Sequence, residues 1–186
     1  RHEVIVELCF HLLDFLILNT RRRLSPHSTS VKLLEVRPSN SDPLALTDGN
    51  TYAVFETGDK DASNSNYISL RKTLSNEIVF RYRTSISYDA KISSISGFSD
   101  WRHVAIVWSN NPNTIYIYEM GVLKGSSARG STISPGVIDE AKIGARVYTS
   151  ANVFKGGIDE VMFYNRALSQ EEIASICKEQ NGGIDC

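Results

Sequence analysis

No sign of charge dominates this sequence: 20 lysines and arginines stand against 21 aspartates and glutamates, a net charge of −1 over 186 residues. Nucleic-acid binders carry a basic patch or a high isoelectric point, so no nucleic-acid partner is expected. Histidine is scarce, and His2, His11, His27 and His103 are scattered without ligand-like spacing. No Ser/His/Asp or Cys/His cluster offers a nucleophile with its base. Long apolar runs are missing as well. The stretch VIVELCFHLLDFLIL (4–18) is shorter than the about 20 residues of a bilayer span. Glu7, His11 and Asp14 interrupt it, which the apolar core of a secretory signal tolerates badly. Val4, Val6, Leu8, Phe10 and Leu12 alternate as on a strand, although its polar residues also share one side of a helix; a strand is the expectation. The single basic run, Arg21 to Arg23, reads as a solvated loop. Of three cysteines, Cys9 lies in the apolar stretch as a small hydrophobe, while Cys177 and Cys186 bracket KEQNGGID. The two glycines there let the chain turn back, and a disulfide would close that loop if the protein is secreted.

What is present is a succession of short β-rich runs: TYAVFE (51–56), NYISLRK (66–72), EIVFRYRT (77–84), HVAIVWS (103–109), TIYIYE (114–119), EAKIGA (140–145) and IDEVMFY (158–164). Turn-rich loops separate them: RPSNSDP, TGDKDASNSN, SNNPNT and KGSSARGSTISPG. One later segment reads as a helix of one or two turns. Ser169 precedes it, and Glu172 three residues on completes a capping box. The length suits one domain, and the pattern is an all-β sandwich with one short C-terminal helix. The hairpin 103–119 carries apolar atoms on both faces, which suits an inner sheet covered by the core on one side and by loops or a ligand groove on the other.

Two stretches resemble a known family. WRHVAIVWSNNPNTIYIYEMGVL (101–123) is similar to the W-x-H-V-A…Y-V-D-G segment of laminin G-like domains, within the concanavalin A-like lectin and glucanase superfamily that includes pentraxins. FKGGIDEVMFYNRALSQEEIASI (154–176) resembles that family's closing G-x-I-D-E-V-x-I-Y-N-R-A-L-S-x-x-E-I. With AKIGA, the resemblance spans about residues 99–176. Met120 stands where the family usually has Asp before the turn glycine, Gly121. The chain also begins near the family's second strand, so the opening strand is expected to be missing, displaced or supplied by another chain. The resemblance implies a single jelly-roll domain over 1–186, of two antiparallel sheets. It further implies an extracellular or cell-surface module, often calcium-assisted and often without catalytic activity. Fold alone does not give the ligand.

Asp159 and Glu160 sit side by side within the apolar run IDEVMF. Glycosidases hold two carboxyl groups about 5–5.5 Å apart when retaining and about 6.5–9.5 Å apart when inverting. Neighbours on a strand point to opposite faces, so this pair cannot flank one glycosidic bond. The glucanase pattern E-x-D-x-x-E fails as well, because Gly157 and Met162 occupy its glutamate positions. The expected role is structural, a carboxylate bound to backbone amides or to an arginine such as Arg166. Calcium at Asp159 comes second and catalysis last. Asp59 and Asp61, in the oxygen-rich loop TGDKDASNSN (57–66), are the other calcium candidates beside a plain solvated turn; the loop lacks the Gly and Glu of an EF-hand. Ligand-stacking candidates are Tyr116 and Tyr118, which share a face, with Tyr88 and Tyr148 beside loops. Trp101 matches a packing position, and His103 reads as a satisfied core histidine. The expected function is non-enzymatic recognition of a glycan or glycoprotein. The alternative is a structural or adhesive subunit whose sheet edges pair with other copies of itself or with a parent surface protein.

Overall fold

The computed structural model describes residues 30–38, 51–59, 67–73, 75, 77–83, 86–93, 101–129, 140–148, 153–154, 156–164, 166–180, 183 and 186. Among the described residues ten strands and one helix follow in order: β1 (Ser30–Pro38), β2 (Tyr52–Gly58), β3 (Tyr67–Lys72), β4 (Ile78–Arg83), β5 (Ser87–Ile92), β6 (Arg102–Asn110), β7 (Asn113–Glu119), β8 (Val122–Ala128), β9 (Glu140–Ile143), β10 (Gly156–Tyr164) and α1 (Gln170–Gln180). They form the expected jelly-roll sandwich. One antiparallel sheet has the order β10-β1-β6-β7-β8 and the other β5-β4-β3-β2-β9. The segment 4–18, Arg21 to Arg23 and Cys9 lie outside the described residues.

Alternation places the core between the sheets. Val104, Ile106, Ile115 and Ile117 of the first sheet meet Val54, Ile68, Leu70, Ile78, Phe80 and Ile92 of the second, all buried. Phe80 stacks on Trp108 at 5.7 Å, and Phe55 meets Phe163 at 5.4 Å. On the far side of the first sheet a smaller cluster joins Ala105, Val107 and Tyr118 to Leu168 and Ile173. The second apolar face of the 103–119 hairpin is thus covered by the C-terminal helix.

That helix has 11 residues, about three turns, longer than expected. The capping box forms. Ser169 N–H donates to Glu172 Oε2 at 2.9 Å, and Glu172 N–H to Ser169 Oγ at 3.3 Å. Ile173 and Cys177 are buried, so the apolar stripe continues past the two turns first read. Cys177 and Cys186 are joined in a disulfide, tying the helix's last turn to the chain end.

Three strands were not foreseen: β1, β5 and β8. The last falls on residues first read as loop. Its sequence VLKGSSA is mostly exposed and polar, as suits a sheet edge. Gly125 on it is required: a β-carbon there would stand 2.4 Å from the carbonyl oxygen of Lys91 on β5. Trp101 packs against the bare Cα of Gly157.

Candidate functional site

The outward face of the second sheet is unlike the other three faces. β2 carries a bulge between Ala53 and Phe55, which directs two consecutive apolar residues, Val54 and Phe55, into the core. The bulge re-phases the strand, and Glu56 falls outward, opposite Ser69. Register then aligns Lys142, Glu56, Ser69, Arg81 and Asp89 in one polar row across all five strands. Tyr67 and Arg71 on β3 and Arg83 on β4 flank that row on the same face, because residues two apart share a face.

Glu56 is fully buried yet well partnered. Its Oε1 accepts the Val147 N–H at 3.0 Å, its Oε2 accepts Arg146 Nε at 3.4 Å, and Arg71 Nη2 stands at 4.0 Å. Lys142 Nζ donates to the Val147 carbonyl at 3.2 Å. Together these contacts fold the segment after β9 over the face. Arg71 gives Nε and Nη2 to Ser69 Oγ at 3.0 and 2.7 Å. Arg81 is held by Asp89 through two parallel bonds of 2.6 and 2.5 Å, a bidentate pair. Those bonds raise its pKa further above the ordinary value, against burial, with Tyr67 adding to the rise.

Tyr67 is the centre of the cluster. Burial pushes its phenol up, but the Arg71 charge and hydrogen bonds with Arg71, Arg83 and Arg81 outweigh it, leaving the group below its ordinary value. The guanidinium of Arg71 lies 5.1 Å from the Tyr67 ring centre and that of Arg83 6.0 Å. Tyr148 meets Tyr67 edge-on at 5.9 Å. Its hydroxyl is pushed up to about 12 by burial, then by the charges of Glu56 and Asp59. Guanidinium donors around an aromatic pair can hold a planar oxyanion such as a carboxylate and pack its carrier against a ring.

Of the tyrosines read as candidates, only Tyr148 lies here. Tyr118 is buried beneath α1 with Tyr116 beside it, and Tyr88 faces the core, stacked on Tyr82 at 6.3 Å. Asp59 is close enough for its charge to act on Tyr148; Asp61 lies outside the described residues. Asp159 and Glu160 occupy a bulge of β10 against β1, where Glu160 takes φ +51°. Asp159 Oδ1 accepts the Glu160 N–H at 2.9 Å, a structural contact of the expected kind. Arg166 is not its partner, for it pairs with Glu172 at 2.8 and 2.6 Å beside the capping box. Calcium takes six to eight oxygens, and among the described residues no group of three His, Cys, Asp or Glu comes together. The described part of the calcium candidates does not assemble such a donor set. His103 is buried as expected but not satisfied: neither ring nitrogen has a hydrogen-bond partner.

Glu56, Tyr67, Arg71, Arg81 and Arg83 were missed. The sequence carries only a partial signal of them, the Tyr-x-Ser-x-Arg of 67–71 and the Arg-x-Arg of 81–83, polar side chains two apart on strands whose alternate residues are core.

The family model described as the concanavalin A-like lectin/glucanases superfamily matches residues 36–174. No curated protein matches the chain. Among solved structures, the CBM40 of the Ruminococcus gnavus IT-sialidase bound to α2,3 sialyllactose is similar at TM-score 0.68 and 14% identity, over 81% of this chain and 83% of that one. A leech intramolecular trans-sialidase complexed with 2,7-anhydro-Neu5Ac is similar at 0.67 and 16% identity, over 89% of this chain and 25% of that one. The Streptococcus pneumoniae NanB sialidase is similar at 0.63 and 21% identity, over 84% and 25% respectively.

Proposed function

Because the chain belongs to the concanavalin A-like lectin/glucanases superfamily, we propose that it is a non-enzymatic recognition module binding an acidic glycan on the outward face of its second sheet. The observation that carries this reading is the gathering of Arg71, Arg81 and Arg83 around Tyr67. Arginine recognises carboxylates through paired N–H donors, and partial burial strengthens the contact. Arg83, more exposed than Arg71, is the ligand donor; Arg71, buried and bonded to Ser69, and Arg81, paired with Asp89, supply background positive charge. Tyr148 offers ring surface to the apolar side of a sugar, with the buried ring of Tyr67 packed behind it. The fold likeness to a module bound to sialyllactose, whose terminal sugar is a carboxylate, supports the ligand class and no residue correspondence.

The same face argues against catalysis. Its row carboxylates, Glu56 and Asp89, are separated by β3 and β4, hence by three interstrand spacings or about 14 Å. That exceeds the about 5–10 Å of a glycosidase pair. The Cys177–Cys186 disulfide favours an oxidising, extracellular setting. Positive charge comes from guanidinium groups here, so the contact does not call on calcium.

A glycan array in millimolar calcium and in chelator tests the reading. Sialylated glycans are expected to bind in both buffers and neutral ones not, with Arg83→Ala weakening binding about tenfold or more. Equal binding of neutral and acidic glycans, or an unaffected Arg83→Ala, would overturn it. Loss in chelator would move the site to Asp59 and Asp61. A second reading, assembly through strand pairing, is favoured by edge strand β8, where Val122 and Leu123 are exposed. Light scattering showing a monomer would exclude it.

A further inference from the structure

Beside the arginine cluster, where the hairpin of β3 and β4 closes, lies an open depression of about 270 Å³. It shares Arg71 and Arg81 with the cluster, and Thr73, Ser75 and Glu77 line it around Val79. We propose that this depression is a second sugar subsite, taking a neutral hexose ring next to the acidic sugar; this rests on the reading above.

Its size comes first. A whole small-molecule pocket spans about 300–1,000 Å³, so this one suits a ring rather than an oligosaccharide. Its chemistry comes second. Hydroxyls and a carboxylate around an apolar floor match a neutral sugar, which offers donors and acceptors on its rim and C–H groups on its face. Glu77 Oε1 accepts from Lys91 Nζ at 2.7 Å, which fixes the carboxylate without exhausting its acceptor sites. Thr73 is the third observation. Its backbone N–H closes the hairpin on the Glu77 carbonyl at 2.9 Å, but its hydroxyl oxygen is shielded from solvent and has no partner. An unspent buried hydroxyl is unfavourable in the free protein. Turning to another staggered rotamer to meet a sugar hydroxyl therefore breaks no bond. The depression and the cluster adjoin through Arg71 and Arg81, which line both, so two linked sugar rings would lie side by side.

Calorimetry with N-acetylneuraminic acid and with 3′-sialyllactose tests this on the intact protein and on Thr73→Val and Glu77→Gln. The wild type is expected to bind the trisaccharide about five- to tenfold tighter, the worth of one or two neutral hydrogen bonds. Both variants should lose that preference and keep the monosaccharide affinity. Thr73→Val, which removes the unpartnered hydroxyl at nearly equal volume, should melt no lower than wild type. Equal binding of the two sugars by wild type, or variants that keep the preference, overturns the subsite alone. Absence of binding to either sugar overturns both the subsite and the acidic-glycan reading.

Discussion

The outward faces of the two sheets solve opposite problems. On the first sheet Ala105, Val107 and Tyr118 face outward, and α1 with the segment before it covers them through Ile173 and Leu168. On the second sheet the same positions hold Glu56, Ser69, Arg71 and Arg81, over which the segment after β9 folds and, among the described residues, no helix lies. Partly burying that many charges is costly unless each is paired, and each carboxylate of the row does hold a cation here. A sandwich needs only its inner faces to fold. The polar face adds nothing that an apolar face under a second helix would not, and on the reading proposed above its arginines serve a ligand. On that reading the helix marks the closed side of the domain and the arginine row the working side.

The sharpest way to break this contrast is to weaken the closed side and ask whether the working side notices. Ile173 is fully buried in the helix cluster. Ile173→Ala should lower stability by about 3 kcal/mol, the usual scale for such truncations, read by chemical denaturation. Glycan affinity of the folded fraction should stay at the wild-type value. If affinity falls with stability, the two faces are coupled and the division above is wrong.

Acid probes the closed side by another route. His103 belongs to the covered face of β6, and burial lowers its pKa to about 4 from an ordinary 6.5. The unfolded chain therefore takes up the proton first as pH falls. Stability contributed by the neutral ring is complete above pH 6.5 and is lost progressively toward pH 4, with no further loss below. The whole shift corresponds to about 3 kcal/mol. Denaturation midpoints measured across that window should fall in the wild type and flatten in His103→Leu. An equally steep profile in the variant would assign the acid sensitivity elsewhere.

Much of the closed side was legible in the sequence. The strands β6 and β7, the closing strand β10 and the capping box of α1 all rest on local patterns. The working side was much less so. Glu56, Ser69, Arg81 and Asp89 lie far apart along the chain and meet only through strand register, and the bulge of β2 decides which way Glu56 points. A tyrosine's neighbours are likewise non-local. Tyr116 and Tyr118 looked available until the helix that covers them was placed, whereas Tyr67 reads as an ordinary strand residue until three arginines surround it. The edge strands β5 and β8 escaped because edges carry too few apolar residues to show a period.

The turn joining β7 to β8 gives the smallest and most local test of how the closed side was tuned. Met120 and Gly121 both have positive φ, +48° and +72°, the pair of conformations that a two-residue hairpin turn requires. Gly121 must also stay bare, since a β-carbon would stand 3.1 Å from the Cα of Ala174 on α1. Met120 has no such reason to be methionine. Outside glycine, that conformation costs about 1–2 kcal/mol for most side chains and less for Asn or Asp. Met120 recovers part of that by accepting the His103 N–H on its sulfur at 3.4 Å, a weak bond. Met120→Asn keeps an acceptor there and relieves the strain, so it should raise stability by about 0.5–1 kcal/mol. Met120→Leu keeps the strain, loses the acceptor, and should be neutral or slightly destabilising. Gain in both variants would mean that the thioether itself is unfavourable beneath the helix, and that packing rather than backbone conformation limits this corner of the fold.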